Sequence, residues 1–222
     1  MFKLIIGNRA YSSWSMRGWL ACKQTGEEFE ELVVPMFDDD WEKRREGDEF
    51  APSLGKVPIL WDGDIVVWDS LAIIDFLADR YGSALYWPED EAARAVARSM
   101  AAEMHSGFAN LRRELPMNVR KSFPPKKLSD SVREEIERIL QLWAQARARF
   151  GGTGDFLFGE WCAADMMYAP AVTRFITHGV SVPNFAGVYM KAVLSHPDVA
   201  EWIDKAQDEP WVIEQYEEGK AA

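Results

Sequence analysis

The sequence predicts a small α/β domain joined to an all-helical domain. Three observations lead there. Short apolar runs punctuated by turn residues fill the first part of the chain. From about residue 91 onward, apolar residues recur at helical spacing instead. Between the two lies a stretch with Gly82, Ser83 and Pro88, where the character changes. The expected layout is an α/β domain over 1–81, a linker over 82–90 and a helical domain over 91–222. A length of 222 residues fits one large or two modest domains.

Taken in order, Phe2 to Ile6 reads as a buried strand stopped by Gly7-Asn8. The serines of Tyr11-Ser12-Ser13-Trp14-Ser15 precede helical periodicity through Trp19, Leu20 and Ala21, so they are cap candidates, and Gly26 closes the helix. Phe29 to Val34 is a second strand, parallel to the first if the crossover is right-handed. Met36 to Ser53 is charged and irregular, with a short helix near Trp41 to Arg45. Val57 to Trp61 is a strand opening at proline. Asp62-Gly63-Asp64 turns it into Ile65 to Trp68, since Asp-Gly favours tight hairpins. Asp69-Ser70 then precedes a helix carrying Leu71, Ile74, Leu77 and Ala78, which makes the unit β-α-β followed by β-β-α.

Downstream, a single long helix is expected from Glu91 to Leu115, ended by Pro116. Ser129-Asp130-Ser131 caps the next, which runs to Phe150 and is broken by Gly151-Gly152. Further helices are expected from Cys162 to Gly179, Ala186 to Leu194 and Asp198 to Ala206.

Charge and composition exclude several functions. Lys and Arg number 25 and Asp and Glu 36, so the net charge is 25 − 36 = −11, which argues against nucleic-acid binding. Two cysteines, Cys22 and Cys162, make neither a disulfide framework nor a four-ligand zinc site, and His105, His178 and His196 lack ligand spacing, so no metal is expected. No apolar run approaches the about 18–20 residues that cross a bilayer. The expected setting is cytoplasmic, without membrane attachment.

Four motifs resemble those of the cytosolic glutathione transferases. Tyr11-Ser12-Ser13-Trp14-Ser15-Met16-Arg17 resembles the serine motif of zeta- and tau-like members. Gly55-Lys56-Val57-Pro58-Ile59-Leu60 resembles the loop with a cis proline, Asp69-Ser70 the acidic-Ser pair, and Ala164-Asp165 with Tyr168-Ala169-Pro170 the buried-helix signature. Two features depart from the pattern. Cys162 stands where that signature has a capping Ser or Thr, and Arg174 lies four residues after Pro170 where zeta members place an Arg at seven.

The resemblance implies a thioredoxin-like N-terminal domain, glutathione as co-substrate, a small electrophile as second substrate, and a homodimer with a detoxifying role. The chemistry is a thiol deprotonated near neutrality. Bringing a thiol down by about two units from about 8.5 takes roughly 2.7 kcal/mol. A serine hydroxyl and a helix N-terminus can supply that. The resemblance selects Ser12, with Ser13 and Ser15 as substitutes; all three also read simply as caps. Likewise it implies that Ser70 receives the γ-glutamyl carboxylate, Asp69 the amino group, Val57 the cysteinyl backbone and Lys56 the glycyl carboxylate. On structure alone, Ser70 would cap the helix and Asp69 would be a turn residue. His105, Phe108 and Arg112 share about one helical face with Met104 as their neighbour, and these four are candidates for the electrophile pocket, although such stripes are usually core. Arg17 is expected to pair with an acid. Two other functions fit the same motifs: a zeta-like, glutathione-dependent isomerase of the maleylacetoacetate type, and a non-catalytic binding protein on this fold.

Overall fold

In the computed structural model, which describes residues 1–217, strand β1 (Lys3–Gly7) sits inside a four-stranded mixed sheet. The order is β2-β1-β3-β4. Helix α1 (Ser13–Gln24) carries the chain over to β2 (Glu30–Val34), which pairs parallel to β1. Strand β3 (Ile59–Asp62) pairs antiparallel on the other side of β1, and β4 (Ile65–Trp68) closes the hairpin. Gly63 at the hairpin has φ +60, the left-handed conformation that the Asp-Gly signal requires.

Strand alternation splits the apolar residues between two faces. Ile5 joins Val34, Trp41, Phe50 and Ile59 on one face, beside α2 (Trp41–Arg45). Leu4 and Ile6 point the other way, toward α1 and α3 (Ser70–Tyr81). From there the apolar core continues without interruption into the helical part, through Trp19, Met100, Trp143 and Trp202. The expected linker contains a short helix, α4 (Ser83–Tyr86), and is packed: Tyr86 Oη donates to the Ala21 carbonyl at 2.8 Å, and Trp87 is buried.

The helical part comprises α5 (Glu91–Ser106), α6 (Ala109–Glu114), α7 (Asp130–Phe150), α8 (Ala163–Thr177), α9 (Asn184–Ser195) and α10 (Pro197–Gln207). Helix α8 is buried nearly all round, as an apolar central helix must be, and packs on α1, α5 and α9. The single helix expected from Glu91 to Leu115 is two. Gly107 is extended and Phe108 adopts φ +59, so the axis turns between α5 and α6. Both ends at the turn are capped from elsewhere. The Glu135 carboxylate accepts from the Asn110 and Leu111 amides, and Arg112 donates to the carbonyls of Met104 and Gly107.

The start of α8 shows why Cys162 suffices as a cap residue. Asp165, wholly buried, accepts from the Cys162 amide (3.0 Å), the Leu157 amide (3.1 Å) and Tyr189 Oη (3.1 Å). Burial nonetheless pushes its pKa up to about 6, against the opposing pull of those donors.

Candidate functional site

A cleft of about 880 Å³ opens where the N-terminus of α1, the loop before β3, the N-terminus of α3 and the helical part meet. Ser12 is the N-cap of α1: its Oγ accepts from the Ser15 amide (3.3 Å) and donates to Ser15 Oγ (2.8 Å). Ser15 Oγ in turn accepts from the Gly7 amide at 3.0 Å, and Ser15 is wholly buried outside the cleft lining. Ser13 is held differently. Its Oγ accepts from Arg174 Nη2 at 3.2 Å, which leaves its own proton uncommitted.

The second wall is the loop of Lys56, Val57 and Pro58, whose Val57-Pro58 bond is cis. Gly18 of α1 lies against it: a Cβ there would approach Pro58 Cγ to 2.8 Å. The third wall is the start of α3, where the capping role expected of Ser70 falls to Asp69. Asp69, at φ +78, is the cap, its Oδ1 accepting from the Leu71 amide at 2.9 Å. Ser70 follows as the first helical residue. It is wholly buried and lines the cleft, and its Oγ has no partner among the described residues.

The candidate electrophile residues divide. Arg112 lines the cleft. Met104 and Phe108 do not: both are buried in the core, Met104 on the inner side of α5 and Phe108 at the turn that follows it. His105 lies outside the cleft, at an adjoining depression, with Nε2 3.3 Å from Asp69 Oδ2 and its ring edge-on to Trp14. Trp14 and Trp68 both border the cleft.

Arg17 pairs with no acid among the described residues. Its Nε donates to the Met167 carbonyl at 3.0 Å, tying α1 to α8. Burial, and then Arg112 and Arg174, lower its pKa. Arg174 was set apart in the sequence only by its spacing, and it proves to be a cleft residue. Burial first and the nearby Arg112 second push it down to about 9. Tyr11 and Tyr216 complete the rim, with Tyr11 Oη donating to Glu217 at 2.6 Å and accepting from Arg120. Nothing local in the sequence signals Tyr216, since it reaches the cleft from the far end of the chain.

Both cysteines are buried, and burial raises their thiol pKa, which makes them poor nucleophiles. Among the described residues, no cluster of His, Cys, Asp or Glu is arranged to hold a metal ion, and no helix is long and apolar enough to cross a membrane.

Comparison with known proteins agrees with this layout. Residues 11–80 match the family model for the glutathione S-transferase N-terminal domain. Glutathione S-transferase 1 of Dianthus caryophyllus is 28% identical over 195 residues, 82% of each chain. Glutathione S-transferase GstB of Escherichia coli is 25% identical over 129 residues, and the match spans 57% of this chain and 62% of the relative's length. Among solved structures, a glutathione transferase homologue from Burkholderia with bound glutathione superposes with a TM-score of 0.70 at 21% identity, covering 94% of this chain and 99% of that one. A Tau class glutathione S-transferase from mango gives 0.64 at 17%, covering 92% and 94%.

Proposed function

From the premise that the chain belongs to the cytosolic glutathione S-transferase superfamily, we propose that its cleft binds glutathione and activates the thiol for attack on a small electrophile. One observation carries this: three segments, at Ser12-Ser13, Val57-Pro58 and Asp69-Ser70, converge on one cleft, and Ser70 in its lining has an unpartnered Oγ. The γ-glutamyl carboxylate would accept from Ser70 and the N-terminal amides of α3, with Asp69 Oδ2 taking the amino group. Val57 would pair with the cysteinyl backbone, and Lys56 would meet the glycyl carboxylate.

The thiol then lies at the N-terminus of α1, where the helix dipole favours an anion. Hydrogen bonding favours Ser13 over Ser12 as the donor. The Ser12 proton is committed to Ser15, whereas Arg174 fills a lone pair of Ser13 and leaves its proton free. In the reaction the thiol proton passes to water, the sulfur forms a C–S bond, and the leaving group departs with the electron pair of the bond it breaks. A homodimer and a cytoplasmic setting go with this reading by family likeness.

The test is titration of the reduced protein with glutathione by calorimetry and tryptophan fluorescence, beside Ser70→Ala. Saturable binding, weakened about tenfold by Ser70→Ala with an unchanged melting temperature, is expected for the loss of one hydrogen bond to a charged group. No binding at tens of millimolar would overturn the proposal.

A further inference from the structure

We propose that the second substrate of this cleft carries a carboxylate, received by the guanidinium groups of Arg112 and Arg174. The inference rests on the reading of the cleft as a site for glutathione and an electrophile, and it names the class of that electrophile.

The chain as a whole carries a net charge of −11, yet the cleft is cationic. Its charged lining is Arg45, Lys56, Arg112 and Arg174 against Asp69 alone. Arg45 already pairs with Glu42, and Lys56 stands by the loop assigned to the glycyl end of glutathione. Arg112 and Arg174 remain, on the side of the helical part, where no carboxyl group of glutathione is assigned.

Neither has an ion-pair partner among the described residues. Each is instead oriented by neutral oxygens. Arg174 donates through Nε to the Leu115 carbonyl (3.0 Å), through Nη1 to the Pro170 carbonyl (3.1 Å) and through Nη2 to Ser13 Oγ (3.2 Å). Of five N–H groups, 5 − 3 = 2 are left over. Arg112 is drawn to the carbonyls at the end of α5 and lies over the Trp14 ring at 5.1 Å, with the Arg17 guanidinium over the same ring at 4.8 Å.

Two cations of like sign in a partly dry wall repel each other, and the opposing charge acting on Arg112, that of Glu135, makes no direct ion pair with it. Burial and Arg112 both depress the Arg174 pKa, consistent with that arrangement. A visiting anion relieves it. The thiolate accounts for a single charge beside Ser13. A planar carboxylate matches guanidinium forks that are already oriented, with the Arg112 group held over Trp14.

The experiment uses cinnamate and its neutral isostere cinnamamide, titrated by calorimetry into the full chain. It is run with and without saturating S-methylglutathione, which occupies the glutathione site and removes it as a competing anion site. Cinnamate is expected to bind about tenfold more tightly than cinnamamide, as one charge-assisted contact gives, with the preference shrinking as salt is added. Arg112→Gln and Arg174→Gln should bring the ratio toward one. A ratio near one in the unmodified protein, or a ratio that both variants leave intact, overturns the inference. Arg174 also ties Leu115 and Pro170, so if its variant does not fold, the unmodified protein and Arg112→Gln decide alone. Binding of S-methylglutathione without charge preference overturns this inference only. Failure of S-methylglutathione to bind overturns the proposed function, while the cinnamate ratio on the free protein still decides the carboxylate question.

Discussion

Replacing Ser13 by Ala should raise the pKa of the bound glutathione thiol. Arg174 occupies one lone pair of the Ser13 hydroxyl, so the proton of that hydroxyl is free to point at the sulfur. A hydrogen bond to a charged group contributes about 1.5–3 kcal/mol. At 1.36 kcal/mol per unit this corresponds to about 1–2 pKa units. A thiol held near about 6.5 in the unmodified protein would rise to about 7.5–8.5 in Ser13→Ala. At pH 6.5 the thiolate fraction then falls from about half to about 1–10%, and kcat/KM falls roughly 5–50-fold. Above a pH of about 9 the two proteins should converge, because both thiols are ionised. The assay is the pH profile of kcat/KM with a neutral chloronitroaromatic, together with the ultraviolet absorbance of the bound thiolate. Ser12→Ala is the control. It removes the α1 cap and should cost about 0.5–2 kcal/mol of stability while leaving the thiol profile in place. A profile shifted by Ser12→Ala and untouched by Ser13→Ala would refute the hydrogen-bond argument.

Other outcomes follow from the same contacts. Asp165→Ala strands three buried donors, at about 1–3 kcal/mol each, so a loss of about 3–9 kcal/mol is expected in urea unfolding, comparable with the whole stability of many domains. The raised Asp165 pKa stabilises the folded state below the unfolded value of 3.8, and that contribution is lost as pH rises toward about 6. Relative to Asp165→Asn, the unmodified protein should therefore lose up to about 3 kcal/mol across that interval, read as urea midpoints against pH. Gly18→Ala pushes a Cβ to 2.8 Å from Pro58 Cγ; an overpacking cost of about 1–3 kcal/mol and weaker glutathione binding are expected by thermal melting and calorimetry.

Much of this architecture was legible because local signals and tertiary structure agree. Asp62-Gly63 demanded a left-handed turn and has one, and Ser12 and Ser129 cap the helices they precede. The turn at Gly107 was hidden for a physical reason. Met104, Phe108, Leu111 and Leu115 are all buried, and their spacing reads the same whether the helix runs straight or bends between them. For the same reason the helical stripe could not separate Arg112, on the cleft, from Met104 and Phe108, in the core. That Asp69 and not Ser70 is the cap was equally invisible, since either residue type caps well. Arg174 and Tyr216 reach the cleft through contacts distant in sequence, which no local pattern encodes.

The uninterrupted core from β1 to Trp202 bears on how this protein can be dissected and how it can vary. The residues that would hold glutathione cluster before residue 82, which invites excision of that part as a minimal thiol-binding module. Cut at that boundary, Met16, Trp19 and Leu20 would lose part of the cover that keeps them dry, and the fragment would associate through that face before it bound anything. The intact chain should melt in a single cooperative step. Its cleft is a notch in one solid body, so substrate preference in relatives of this shape is expected to change through side chains at the rim, with the two parts keeping a common seam.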